Sequence, residues 1–268
     1  MINRIFEPHI MENPALPFIF HLDSAVSGPQ MGANWHSNIE ILYCVSGAGS
    51  VKYELSEYPL AKGALCIINS NVLHSVQSAD EVCYHCLIID RKFCADNSIA
   101  TDDICFQAIV RDPAAVELFE QIIAAYADDG VCRIAKIRQA VLGLLIYLRE
   151  NHTLEAALAA ETEAALAIER IKQCMVYINR HFTHALTLDE IAQQAGVSKF
   201  HLSREFKKVT GQTIFTYLNM IRCKEAKRLI VDGMSVSAAA ISCGFDNLSY
   251  FTRVYKRYTG QLPSAKVQ

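Results

Sequence analysis

The feature that most constrains this chain is an internal duplication in its last third. Ile191-Ala192-x3-Gly196-Val197 returns as Ala239-Ala240-x3-Gly244-Phe245, 48 residues later. Phe206-Lys-Lys-Val-Thr-Gly-Gln212 then returns as Tyr255-Lys-Arg-Tyr-Thr-Gly-Gln261, 49 residues later, so the second copy holds one extra residue in between. Two copies fall short of the three or more repeats that a stacked solenoid needs, which leaves two similar small modules. Each has the parts of a helix-turn-helix. Thr187 and Glu190 fit a capping box that opens a short helix, and Gly196 ends it because glycine takes positive φ without a Cβ penalty. Ser198 fits the cap of a second helix that stops at Thr210-Gly211.

On that second helix Leu202, Phe206 and Val209 fall at the buried spacing, whereas Phe200, Ser203, Arg204 and Lys207 share the outer stripe. The second copy repeats the arrangement, with Phe251, Tyr255 and Tyr258 inward and Ser249, Thr252, Arg253 and Lys256 outward. A lone charged stripe is ordinarily a solvated face. Charge distribution changes that judgement. Residues 1–166 carry 10 Lys+Arg against 21 Asp+Glu, and residues 167–268 carry 15 against 7, giving formal charges of −11 and +8. A basic, duplicated module with outward arginines points to a polyanion, and an α-helix presenting Arg suits the major groove of DNA.

Residues 170–264 resemble the DNA-binding domain of the AraC/XylS family of bacterial transcription regulators. The likeness rests on the run from Thr187 to Lys208, the segment from Tyr217 to Arg222 and on through Ala226 and Leu229, and the second module through Gly244-Phe245, Tyr250-Phe251, Arg253, Tyr255-Lys256, Gly260 and Pro263. The resemblance implies seven helices, two helix-turn-helix units joined by a long helix, and recognition helices in successive major grooves. It implies base-facing roles for Phe200, Ser203 and Arg204 in the first module and for Leu248, Ser249, Thr252 and Arg253 in the second. Leu248 stands where a polar residue is common, so contact with a thymine methyl is expected there. Phosphate contacts fall to Lys199, Lys207, Arg222 and Lys256, with Thr187 and Ser235 at helix starts.

The acidic part reads differently. From Asn38 to Ile89, short β-rich segments alternate with turn residues, the pattern of a sandwich or barrel. After Asp112-Pro113 two helices are expected, Ala114–Tyr126 and Val131–Arg149. The second bears Ile137, Val141, Leu144, Leu145 and Leu148 as an apolar stripe that serves either the domain core or a dimer seam. The spacing His36-x-Asn38-x-Glu40-x6-Gly47 and Gly63-x5-Asn69-x-Asn71-x2-His74 resembles a cupin barrel, the sensor fold frequent among these regulators. Metal-binding cupins usually carry His where Asn38 stands and Pro and Gly at Asn69 and Asn71. The preferred reading is therefore an organic-effector pocket formed by Trp35, His36, Glu40, Tyr43, His74 and His85, with no metal and no cofactor.

The expected architecture is an all-β cupin-like barrel with flanking helices followed by an all-α domain. Its divisions are 1–112 for the barrel, 113–150 for a helical pair that dimerises or completes the core, 151–167 for an Ala/Glu-biased linker, and 168–268 for the DNA-binding domain. The helix-turn-helix units within it span about 187–210 and 235–259. The expected function is a cytoplasmic transcriptional regulator, by resemblance an activator and not an enzyme. Its partners would be double-stranded promoter DNA, a small-molecule effector, RNA polymerase and a second copy in a homodimer. The longest uninterrupted apolar stretch, Ala140–Leu148, is about half a bilayer span, so no membrane role is expected. Two rivals are a metal-dependent cupin enzyme with an appended DNA-binding domain and a regulator that responds to oxidants through the ten cysteines. The lone CxxC, Cys83 to Cys86, places its thiols on opposite strand faces, which disfavours a redox or metal pair.

Overall fold

The computed structural model describes residues 13, 15–25, 33–78, 80–101, 104–154 and 163–265. The chain divides into two compact units, one β-rich and ending near residue 160, the other helical and running from there to the C-terminal region.

The β-rich unit is built from antiparallel strands. Strands β1 (Phe18–Ala25), β2 (Ile39–Ser46), β5 (Leu65–Ile68), β7 (Val82–Ile89) and β9 (Ile109–Val110) form a five-stranded sheet in the order β1-β7-β2-β5-β9. Strands β3 (Ala48–Tyr53), β4 (Ser56–Ala61) and β6 (His74–Gln77) form a second sheet in the order β4-β3-β6. The short β8 (Cys105–Phe106) and β10 (Thr153–Leu154) pair with each other. A six-residue helix, α1 (Arg91–Asp96), follows β7 and is capped by Asp90, whose side chain accepts from the Phe93 amide. Neither β1 nor β6 was anticipated from the sequence.

The central strand β2 has six consecutive buried residues because both of its faces are covered. Ile39, Ile41 and Tyr43 belong to one core cluster with Leu87 and Ile89, Phe119 and Ile122, and the stripe of the following helix. Leu42 and Cys44 belong to a second cluster with Val51, Leu60, Cys66, Tyr84 and Cys86, which packs the five-stranded sheet against the three-stranded one. Alternation along a strand thus divides the unit into a sheet-to-sheet layer and a sheet-to-helix layer.

The helices of that second layer are α2 (Pro113–Ala127) and α3 (Arg133–Asn151). Asp112 caps α2 by accepting from the Ala114 amide, and Pro113 occupies the first turn, where a missing N–H costs nothing. Ile137, Val141, Leu144, Leu145 and Leu148 are all fully buried in the unit's own core. That decides between the two readings of the stripe: it completes the core and is unavailable as a dimer seam. At about 1.5–3 kcal/mol for each fully buried aliphatic side chain, this stripe is a main source of the unit's cohesion.

Of the expected linker, residues 155–162 lie outside the described residues. Thr153–Leu154 pairs as β10, and residues 163–167 open the next helix.

The helical unit comprises α4 (Glu163–His181), α5 (Leu188–Gln194), α6 (Lys199–Thr210), α7 (Ile214–Val231), α8 (Val236–Ser242) and α9 (Leu248–Thr259). These are six helices among the described residues, where the resemblance implied seven. Helix α7 lies in contact with α6 on one side and with α8 and α9 on the other. Tyr217 of α7 is buried and accepts from Asn179 Nδ2 of α4 at 3.1 Å. The α8–α9 side buries Cys223 and Ala226 of α7 with Ala239, Ala240, Phe245, Phe251 and Tyr255. No helix of the described residues is long and apolar enough to cross a membrane.

Candidate nucleic-acid interface and ligand site

Both helix-turn-helix units form as the residue pattern requires. Thr187 Oγ1 accepts from the Glu190 amide at 3.2 Å while Glu190 Oε2 accepts from the Thr187 amide at 2.7 Å, a complete capping box. The hydrogen bonds from Thr187 hold the Glu190 carboxyl below its ordinary pKa. Gly196 and Gly244 take φ of +66° and +83° at the two turns. Ser198 caps α6 and Asn247 caps α9, each side chain accepting from the amide three residues on. The glycine-to-cap interval is therefore one residue longer in the second unit, which places the extra residue of the duplication within the turn.

Leu202, Phe206 and Val209 of α6 are buried, as are Phe251, Val254 and Tyr255 of α9. Tyr258 is half-buried and donates to the Thr216 carbonyl at 2.8 Å. Outward lie Phe200, 77% exposed, with Arg204 and Lys207 exposed and Ser203 half-buried. On α9, Leu248, Ser249, Arg253 and Lys256 are exposed, and half-buried Thr252 donates to the Leu248 carbonyl. The Arg253 guanidinium sits over the Tyr250 ring, 5.4 Å from its centroid. Lys199 lies 3.0 Å from the Asp189 carboxylate, close to its exposed neighbour Phe200.

Of the expected phosphate contacts, Arg222 is engaged within the unit. Arg222 donates from Nε to the Phe182 carbonyl at 2.7 Å and from an Nη to the His184 carbonyl at 2.8 Å. It also lies against the Phe245 ring. These bonds make Arg222 the joint between the end of α4 and the second turn. Gly244 belongs to the same joint: a Cβ there would lie 2.7 Å from the Thr183 carbonyl oxygen and 2.9 Å from that of Phe182. Thr187 and Ser235 stand at the starts of α5 and α8, where each side chain caps its helix by accepting from the amide three residues on.

The six residues expected to line one effector pocket do not come together. His36, Glu40 and His74 are buried on the sheet-to-sheet side, where the Cys86 thiol donates to Glu40 Oε1 at 3.2 Å. Tyr43 and His85 pair across β2 and β7 and face the other way, toward α2. The Tyr43 hydroxyl donates to Glu120 Oε1 of α2 at 2.8 Å, and burial with that carboxylate pushes its pKa up to about 12. His85 stacks on Phe20, with centroids 5.1 Å apart, and Phe20 stacks on Tyr126 of α2 at 4.4 Å. Trp35 is buried in the segment before β2. The physical reason for the split is strand alternation: Glu40 and Tyr43 are three residues apart on one strand.

Sequence reasoning missed Phe20 and Tyr126. His85 Nδ1 and Tyr126 Oη are buried with no hydrogen-bond partner among the described residues. Burial lowers the His85 pKa and raises that of Tyr126 to about 12, so both are neutral polar groups near neutral pH.

Cys83 is half-buried and Cys86 buried, none of the ten cysteines forms a disulfide among the described residues, and burial raises the Cys66, Cys94 and Cys223 pKa values to about 12. None of those three is an activated thiol.

A β-rich unit followed by two helix-turn-helix modules on one helical scaffold is the architecture of a ligand-binding domain joined to a DNA-binding domain. An AraC-like ligand binding domain matches residues 23–168 and a helix-turn-helix domain matches residues 191–268. The chain belongs to the AraC family. It is 36% identical over 95 residues to the HTH-type transcriptional activator AarP of Providencia stuartii, covering 35% of this chain and 70% of AarP. It is 37% identical over 89 residues to the bifunctional transcriptional activator/DNA repair enzyme AdaA of Bacillus subtilis, covering 33% of this chain and 42% of AdaA. ToxT from Vibrio cholerae, solved with an unsaturated fatty acid bound, shows a TM-score of 0.42 and 16% identity over 92% of this chain and 93% of ToxT.

Proposed function

We propose that the chain is a transcription regulator that binds promoter DNA through α6 and α9, responds to a small molecule held by the β-rich unit, and activates transcription by engaging RNA polymerase. It acts by binding rather than by catalysis. The observation that carries this reading is the pair of exposed arginines, Arg204 and Arg253, at matching positions on two helices that are alike in cap, buried stripe and C-terminal glycine. An outward Arg can donate two hydrogen bonds to guanine O6 and N7, while Lys207 and Lys256 in the last turns reach phosphates. Phe200, Ser203, Leu248, Ser249 and Thr252 complete the base-facing surface, Lys199 adds a phosphate contact, and the cytoplasm is the expected compartment. A homodimer would have to use a surface other than the buried stripe of α3.

The small molecule is best placed between the five-stranded sheet and α2. Two unpartnered buried polar atoms, His85 Nδ1 and Tyr126 Oη, flank the Phe20 ring there. Such groups are rare in a native interior and suit a ligand that is apolar with a hydrogen-bonding head.

Selection of binding sites from a random duplex pool, followed by fluorescence anisotropy across a salt series, tests the DNA reading. Saturable binding that weakens steeply with salt is expected, because phosphate contacts release counterions. Binding that ignores both sequence and salt removes the proposal.

A further inference from the structure

Helix α7 changes partners along its length. Tyr217 belongs to the first module's side, with its ring centroid 5.7 Å from that of Phe206 of α6 and its hydroxyl bonded to Asn179 of α4. Cys223 and Ala226 belong to the buried cluster of the second module, with Ala239, Ala240 and Phe251. Arg222 stands at the changeover.

Its guanidinium reaches both ways. Toward the first module, Nε donates to the Phe182 carbonyl at 2.7 Å and Nη2 to the His184 carbonyl at 2.8 Å, in the segment that leads from α4 to the Thr187 cap of α5. Toward the second, the same group lies 5.6 Å from the centroid of the Phe245 ring, and a Cβ on Gly244 would sit 3.0 Å from Nη2. Phe182 itself packs against the second module's cluster. One planar fork therefore holds the entry of α5 against the turn between α8 and α9. A guanidinium presents its donors at fixed angles, so two carbonyls bonded to it are also fixed relative to the ring it covers.

That turn sets the near end of the second reading helix. Gly244 lies three residues before Asn247, the cap of α9, and Leu248, Ser249, Thr252 and Arg253 follow. Bonds from Tyr258 to the Thr216 carbonyl and from Asn219 to Tyr250 tie α9 to α7, and the Arg222 bridge ties the turn to the first module. Neighbouring base pairs of a duplex are displaced by about 3.4 Å and rotated by about 35°. A hydrogen bond tolerates a spread of only about 0.5 Å in length, so two modules locked together cannot follow an inserted base pair.

We propose that Arg222 is a positioning residue for DNA recognition: by bridging the entry of α5 to the α8–α9 turn, it fixes the number of base pairs between the contacts of Arg204 and Arg253. The inference rests on the DNA reading above and deepens it, because it assigns the spacing of the target site to a side chain bonded to protein rather than to DNA.

The experiment takes the full chain and a duplex selected from the random pool, and adds or removes one base pair between the positions read by the two arginines. Wild-type protein is expected to bind the altered duplexes at least about five-fold more weakly, the lower end of what one bidentate arginine contact is worth. Arg222→Met and Arg222→Lys should narrow that difference to less than about two-fold, since methionine donates to neither carbonyl and lysine lacks the fork that spans both. Their salt dependence should match wild type. An Arg222 that bound phosphate would instead lower the salt slope by about 1 and weaken every duplex alike. One that merely stabilised the fold would lower the urea midpoint with the spacing penalty intact. Either result overturns the proposal, as does wild-type protein that accepts both altered duplexes. Nitrogen-15 NMR of wild-type protein decides the matter should both variants misfold: the Arg222 Nε–H should stay protected from exchange in the specific complex, and its release on DNA binding sinks the bridge. If wild-type protein selects no sequence at all, the DNA reading falls and this inference with it; a spacing penalty that both variants keep removes this inference alone.

Discussion

The two helix-turn-helix modules share a skeleton and differ at their surfaces. In the first, the turn glycine Gly196 faces open space, α5 is closed by a reciprocal capping box, and Lys199 meets Asp189. In the second, Gly244 is pressed against the Phe182 and Thr183 carbonyls, α8 has a single serine cap with no acid in its first turn, and Leu248 stands where the first has Lys199. The buried positions are preserved because both copies must pack on α7. The outward positions have diverged, which is expected if each helix reads a different sequence.

The sharpest way to break this comparison is at the two glycines. Both have positive φ, so alanine at either costs about 1–2 kcal/mol from backbone strain alone. Gly196→Ala should lose only that amount in urea unfolding of the full chain. Gly244→Ala adds a clash with two main-chain oxygens that no rotamer relieves, so its loss should be clearly larger and should disturb the joint held by Arg222. Equal losses at the two sites would mean that the second turn is not pinned to the end of α4.

Next in size are the arginines. Arg204→Ala and Arg253→Ala should each cost about 1–3 kcal/mol in specific DNA binding and relax preference at different base pairs. Anisotropy on duplexes substituted one pair at a time locates each contact. An equal loss on every sequence would reassign that arginine to phosphate.

How far these features were legible depends on the kind of signal. The modules could be read because a duplication supplies its own control: glycines, caps and buried stripes recur in register. The shift from 48 to 49 residues announced an insertion, but its position required seeing that Asn247, not Asp246, caps α9. In the β-rich unit β2, β3, β5 and β7 could be read but the facing was misjudged. The parity rule that separates Cys83 from Cys86 also separates Glu40 from Tyr43, so a pocket containing both was excluded by spacing alone. Phe20 and Tyr126 carried no local signal, since their partners lie far away in sequence. Arg222 looked like a phosphate contact because sequence cannot show that two carbonyls await its guanidinium.

A smaller effect is expected at the caps. Thr187→Ala removes one half of a reciprocal pair and Ser235→Ala a lone acceptor, each worth about 1 kcal/mol of stability. The Thr187 variant also loses the hydroxyl bond to Glu190 but keeps the main-chain amide bond, the larger of the two that hold the Glu190 carboxyl below its ordinary pKa. Restoring Ser at position 187 should recover most of the loss, whereas the same change to Val should not. A similar test applies to the ligand face: Tyr126→Phe removes a buried hydroxyl that has no partner among the described residues, so apo stability should hold or rise while any effector response weakens. A marked loss of apo stability would show that the hydroxyl is already satisfied.

The smallest predicted difference is the most specific to the duplication. Tyr250 lies beneath Arg253 and accepts a hydrogen bond from Asn219 Nδ2 at 2.8 Å, so the second arginine is held before DNA arrives. The matching residue of the first module is His201, which lies 3.0 Å from the Glu205 carboxylate, itself bonded to Arg170, and among the described residues no ring lies beneath Arg204 as Tyr250 does beneath Arg253. An exposed cation–π contact is worth about 0.5–1 kcal/mol, so Tyr250→Leu should weaken specific binding by about two- to five-fold. Tyr250→Phe keeps the ring and should bind nearly as wild type, which separates the stacking from the Asn219 bond. His201→Leu should leave the base preference assigned to Arg204 intact, because the ion pair it breaks points into the α4–α6 contact. If Tyr250→Leu and His201→Leu instead weaken DNA binding equally, the second arginine gains nothing from its ring, and the modules differ in sequence but not in how they hold their reading side chain.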